Sequence, residues 1–89
     1  MKTFLIERDL EGISMPDLHG LVAASMRQVA RMRDEGDLVH YLGSTFLPGE
    51  GLCLCLYQAK DEAVLSSLNR AARLPAKRIV DAIALAQDH

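Results

Sequence analysis

Eighty-nine residues, 49% of them apolar, make one domain spanning 1–89. Folding at this size buries only about 60–65% of the chain's surface, so area added by a partner matters to stability. A net charge of -2, from 10 basic and 12 acidic residues, leaves no electrostatic footprint for nucleic acid or an anionic membrane and argues against either partner.

Lys2–Arg8 alternates Phe4 and Ile6 with Thr3, Leu5 and Glu7, and its aromatic and β-branched content predicts a first strand. Glu7, Arg8 and Asp9 interrupt the apolar run too early for a signal peptide, and no segment approaches the roughly 18 apolar residues of a membrane span. A turn follows over Asp9–Gly12. Ser14, Pro16 and Asp17 then supply an N-cap, a first-turn proline and an acidic third position, which start a helix. Leu18, Leu21, Val22, Ser25, Met26, Val29 and Met32 form its stripe at three- and four-residue spacing, and Gly36 stops it.

Leu38–Leu47 reads as a second strand with Leu38, His40, Leu42, Ser44 and Phe46 on one face and Val39, Tyr41, Gly43, Thr45 and Leu47 on the other. Gly43 marks a bulge. Pro48-Gly49-Glu50-Gly51 turns the chain into a third strand, GLCLCLYQ over Gly51–Gln58, completing a hairpin. This strand is apolar on both faces, with Leu52, Leu54 and Leu56 opposite Cys53, Cys55 and Tyr57, which makes it central. Asp61 and Glu62 open a second helix that buries Val64, Leu65, Leu68, Ala71 and Ala72 and closes at Pro75. Lys77–Ala86, with Ile79, Val80, Ile83 and Leu85, reads as a final strand.

The order strand, helix, strand, strand, helix, strand predicts an α+β, ferredoxin-like βαββαβ sandwich: a four-stranded antiparallel sheet with both helices on one face. Right-handed connections place the first and third strands in the centre. If the leucines of the third strand point to the helices with Phe4 and Ile6, the open face carries Glu7, Cys53, Cys55 and Tyr57, joined by Tyr41 and Thr45. Covering that face with a second copy predicts a homodimer.

Cys53 and Cys55 lie about 6.5–7 Å apart along a strand, at the edge of unstrained disulfide geometry, and read as free thiols of a reducing, cytoplasmic compartment. A divalent transition metal needs three or four convergent donors, and the candidate set is Glu7, Cys55, Cys53 and His40. His19, beside the helical stripe, and His89, at the end of the chain, are more remote. The bland reading makes the thiols small buried hydrophobes. A catalytic alternative, of the isomerase or monooxygenase type, has Glu7 as general base on a small organic substrate with Tyr57 beside it. Against it, Glu7 pairs simply with Arg8, Arg78 or Lys77. A structural dimer with no site is the third reading.

Ile6-Glu7-Arg8-Asp9-Leu10 with Gly12, Cys55-Leu56-Tyr57, Asp61-Glu62-Ala63 and Ala72-Arg73-Leu74-Pro75-Ala76-Lys77-Arg78-Ile79 resemble, in order and spacing, a bacterial domain-of-unknown-function family of about this length. The resemblance implies a ferredoxin-like fold, a dimeric state and, for some members, nickel binding. It carries across Glu7, Cys55 and Tyr57, with Arg8, Asp9 and Arg78 at the margins. Two departures stand out. Tyr41-Leu42-Gly43-Ser44-Thr45 replaces a Trp-x-Glu-Ser-Tyr pattern, and Leu68 replaces a histidine, so a carboxylate and an imidazole of the family are missing. The resulting expectation is a small cytoplasmic, dimeric ligand-binding protein with nickel or another divalent transition metal as first ligand.

Overall fold

The computed structural model describes residues 1–85. The elements are β1 (Lys2–Asp9), α1 (Met15–Asp34), β2 (Val39–Leu47), β3 (Leu52–Ala59), α2 (Glu62–Ala72) and β4 (Arg78–Ala82). The strands form one antiparallel sheet in the order β2-β3-β1-β4, the ferredoxin-like arrangement with β1 and β3 central. Local chemistry sets the boundaries: Ser14 Oγ accepts from the Asp17 amide at 3.2 Å to open α1, and Asp61 Oδ1 does the same for the Val64 amide to open α2. β4 ends at Ala82, short of the expected Ala86, which with His89 lies outside the described residues.

Gly51 is required where it stands. Its φ is +62°, and a Cβ there would meet the Glu11 Cα at 2.6 Å, because the hairpin turn packs on the loop after β1 and its carbonyl accepts from the Leu10 amide at 2.7 Å. The bulge expected at Gly43 is present. The β2–β3 register shifts between Tyr41 and Gly43, whose φ is +133°. Tyr41 therefore lies opposite Tyr57, whereas Thr45 lies opposite Leu54 on the other face of the sheet.

Phe4 and Ile6 of β1 face the helices and Glu7 the open side, as expected, but the expected facing of β3 is reversed. Cys53, Cys55, Tyr57 and Ala59 are the buried set of β3, in register with Arg8, Ile6, Phe4 and Lys2 across β1, and they lie under the helices. Size decides this. Two thiols and a methyl leave room for Val29 and Met32 of α1 and Leu65 and Leu68 of α2, where leucines at the same positions would overfill the layer. Ile6, Leu65 and Leu68 are fully buried there, each contributing about 1.5–3 kcal/mol to holding helices on sheet. The open face carries instead Leu5, Leu47, Leu52, Leu54, Leu56 and Val80, with Glu7 among them.

Candidate functional site

The chemistry of the domain is concentrated between sheet and helices. Period-two alternation puts Arg8 on the same face of β1 as Phe4 and Ile6, and its side chain is completely buried. Nη1 donates to Asn69 Oδ1 at 2.9 Å and to the Pro75 carbonyl at 2.8 Å, and Nη2 donates to the Tyr57 hydroxyl at 3.0 Å. Nε has no partner. α2 supplies Asn69 because its last turn closes on Arg73 in the left-handed conformation, with the Leu74 amide donating to the Asn69 carbonyl, which brings Pro75 back over the end of β1. On the other side Tyr57 shares a short hydrogen bond with the buried Ser25 hydroxyl of α1. A buried guanidinium is thus held by neutral oxygens, none of them a carboxylate's.

The thiols adjoin this cluster. Cys53 and Cys55 Sγ are 3.8 Å apart, both buried and both free. Ser44 Oγ donates to Cys55 Sγ at 3.0 Å and is itself bonded to the Tyr41 hydroxyl, and the Tyr41 ring meets the Tyr57 ring at 5.2 Å between centroids. Ser44 is exposed, so the thiol pair lies one side chain below the surface at the β2 edge.

Burial, followed by the neighbouring Cys55, pushes the Cys53 thiol up to about 11 from 9.0. Burial also raises the Tyr57 phenol, against the opposing pull of Ser25 and Arg8, and raises Tyr41. A folded pKa above the unfolded one means that the folded state keeps its proton longer. This contribution to stability is complete below about pH 9 and lost as pH rises through about 11. Urea midpoints measured from pH 8 to 11 are expected to fall steeply above pH 9, together with the appearance of tyrosinate absorbance; a flat midpoint across that window contradicts it.

The predicted donors are divided by the sheet. Glu7 lies opposite Leu54 on the open face, where Oε2 takes Arg78 Nε and Nη2, each at 2.7 Å. The simple ion pair describes Glu7, and because Arg78 is largely exposed, its worth is at most about 1 kcal/mol. His40 lies opposite Gln58 on the edge strand and takes a hydrogen bond from Arg33, whose Nη1 is nearest its Nδ1, and bonds neither thiol. His19 is exposed on α1. Glu7 and Tyr57 are on opposite faces too, so the catalytic pairing of these residues does not form. Among the described residues no three His, Cys, Asp or Glu side chains gather as a metal site would require. Ser25 was legible as a member of the α1 stripe but not as a partner of Tyr57, and Asn69 was not legible at all, its one signal being an Asn flanking a buried helical stripe.

A family model for nickel responsive proteins of the SCO4226-like type matches residues 4–81. The chain belongs to that family. No curated protein matches it. The crystal structure of SCO4226 from Streptomyces coelicolor A3(2) superposes with a TM-score of 0.76 at 20% identity, covering 94% of this chain and 99% of that one, which establishes the shared fold. Nickel fits the site of this SCO4226-like protein only in part. The 3.8 Å sulfur separation matches the roughly 3.8 Å bite of two thiolates about 2.3 Å from a tetrahedral ion such as zinc, and the pair must close to about 3.2 Å for the square-planar set that nickel favours. Beyond them one protomer offers only the Ser44 and Tyr41 hydroxyls, as weak oxygen donors. Among the described residues no helix is long and apolar enough to cross a membrane.

Proposed function

We propose that this protein is a homodimeric, metal-responsive binding protein in which Cys53 and Cys55 together take a thiophilic divalent ion, nickel first. The sulfur spacing carries the reading, since the two thiols already stand at a chelating distance on one face of a rigid central strand. The family's description as nickel responsive supports the choice of ion. Both thiols must lose their protons when the ion is held, and the Arg8 guanidinium on the neighbouring strand favours the thiolate of Cys53. The exposed Ser44 is the side chain that moves to admit the ion. Free buried thiols accord with a reducing, cytoplasmic setting. The dimer forms through the leucine face, which in one protomer leaves Leu56 39% exposed.

Nickel titrated by calorimetry into tag-free, reduced protein tests the site. Saturable uptake is expected in the parent protein and in Glu7→Gln, whose carboxylate is across the sheet, with loss of about tenfold or more in affinity for Cys55→Ser and Cys53→Ser. No saturable uptake below millimolar nickel, or Glu7→Gln abolishing uptake while Cys55→Ser does not, contradicts the assignment.

A further inference from the structure

We propose that the cleft between α1 and the edge strand β2 is a second binding site, for a small carboxylate with an apolar body. The cleft is an open hollow of about 280 Å³ lined by Met26, Val29, Ala30, Arg33, His40 and Tyr41. Met26, Val29 and Ala30 of α1 and the Tyr41 ring supply its apolar lining, and Arg33 and His40, which are bonded to each other, its polar groups; a shallow apolar hollow with few polar groups suits a small ligand.

Arg33 is a cation with donors to offer. It uses Nη1 alone, donating to the Val39 carbonyl at 3.2 Å and to the His40 ring, whose Nδ1 is the nearer nitrogen. Among the described residues its Nε and Nη2 make no hydrogen bond and no carboxylate lies within ion-pair reach of it. Nε and Nη2 form the edge of a guanidinium that receives a carboxylate through two parallel hydrogen bonds. The contacts to Val39 and His40 fix the plane of the group, so less side-chain freedom is lost on binding.

The rest of the lining selects the body of the ligand. Met26 is 56% exposed at the lip, an unusual place for a large apolar side chain, and a flexible thioether adapts to aromatic or branched aliphatic groups. A single guanidinium suits a monoanion; a phosphate dianion would need further cations, and Asp37, in the adjoining hollow past Arg33, opposes added negative charge. Tyr41 is common to this cleft and to the Ser44–Cys55 chain of the thiol site, but Arg33, Met26, Val29 and Ala30 are not, so a titration of metal-free protein reads the cleft without the thiols.

Titration of isotopically labelled protein with sodium benzoate, followed by amide chemical shifts, tests this site. Saturable shifts centred on Met26, Ala30 and Tyr41 are expected, weakened about tenfold or more by Arg33→Gln, by Ala30→Leu, which fills the cleft, and by substituting neutral benzamide for benzoate. Both substituted residues are exposed, and the same spectra report whether each variant is folded. The proposal is overturned if benzoate gives no saturable shift up to about 20 mM, if Arg33→Gln binds as well as the parent, or if benzamide or inorganic phosphate binds as tightly as benzoate.

Discussion

Asn69→Leu is expected to cost the fold about 1.5–3 kcal/mol, although leucine nearly matches asparagine in shape and is the better helix former. The reason is Arg8. Its guanidinium, with no exposed surface, has three acceptors, Asn69 Oδ1, the Pro75 carbonyl and the Tyr57 hydroxyl, and an Nε that already has none. Removing one acceptor leaves the five N–H groups of a buried cation with two hydrogen bonds in place of three, and water cannot reach the N–H that loses its partner. Arg8→Met removes the charge while keeping a long apolar side chain, and buried charges replaced in this way are often neutral or stabilising. The two substitutions should therefore not add: in the Arg8→Met background, Asn69→Leu is expected to cost less than about 1 kcal/mol. Urea unfolding of the four proteins at one fixed protomer concentration reads the cycle. Equal costs of Asn69→Leu in both backgrounds would show that Arg8 does not depend on that amide.

The same residue shows how far the sequence can be read. Alternation along Lys2–Arg8 grouped Phe4 with Ile6, but Arg8, two residues on, was expected at the margin of the open face or paired with Glu7, whereas it is buried on the face of Phe4 and Ile6. Its partners were hidden because Asn69 and Pro75 lie some sixty residues away in the chain. Element order and the central position of β3 followed from period and turn chemistry, since Pro48–Gly51 and Gly43 allow few conformations. Which face of β3 meets the helices did not follow. GLCLCLYQ is apolar on both sides, so hydropathy was symmetric, and the deciding quantity was the volume left beneath Leu65 and Leu68, which depends on helices elsewhere in the chain. That one inversion separated Glu7 from the thiols. Cys53 and Cys55 stayed together because two residues apart on a strand is a local relation, unaffected by which side the strand turns.

Leu54→Lys is expected to abolish self-association while leaving the protomer folded. Leu54 sits in the middle of the open face, between Glu7 of β1 and Thr45 of β2, with Leu52 and Leu56 along its own strand. In an isolated protomer a lysine there keeps its ammonium in water and lays its methylenes along the neighbouring leucines, at little cost. In a two-fold dimer the same ammonium is pressed against an apolar partner surface, and symmetry makes the substitution count twice. A weakening of about 100-fold or more in the dimer dissociation constant follows, about 2.7 kcal/mol. Light scattering at micromolar concentration should then report the 9.8 kDa protomer for Leu54→Lys and twice that mass for the parent and for Leu54→Met, with unchanged far-ultraviolet dichroism in all three. A parent that is itself monomeric would remove the leucine face as a pairing surface. A Leu54→Lys protein that still dimerises would move the contact to an edge strand, and β2 is then the first to probe, because Leu42 within it is 49% exposed and Leu38 just before it 56%.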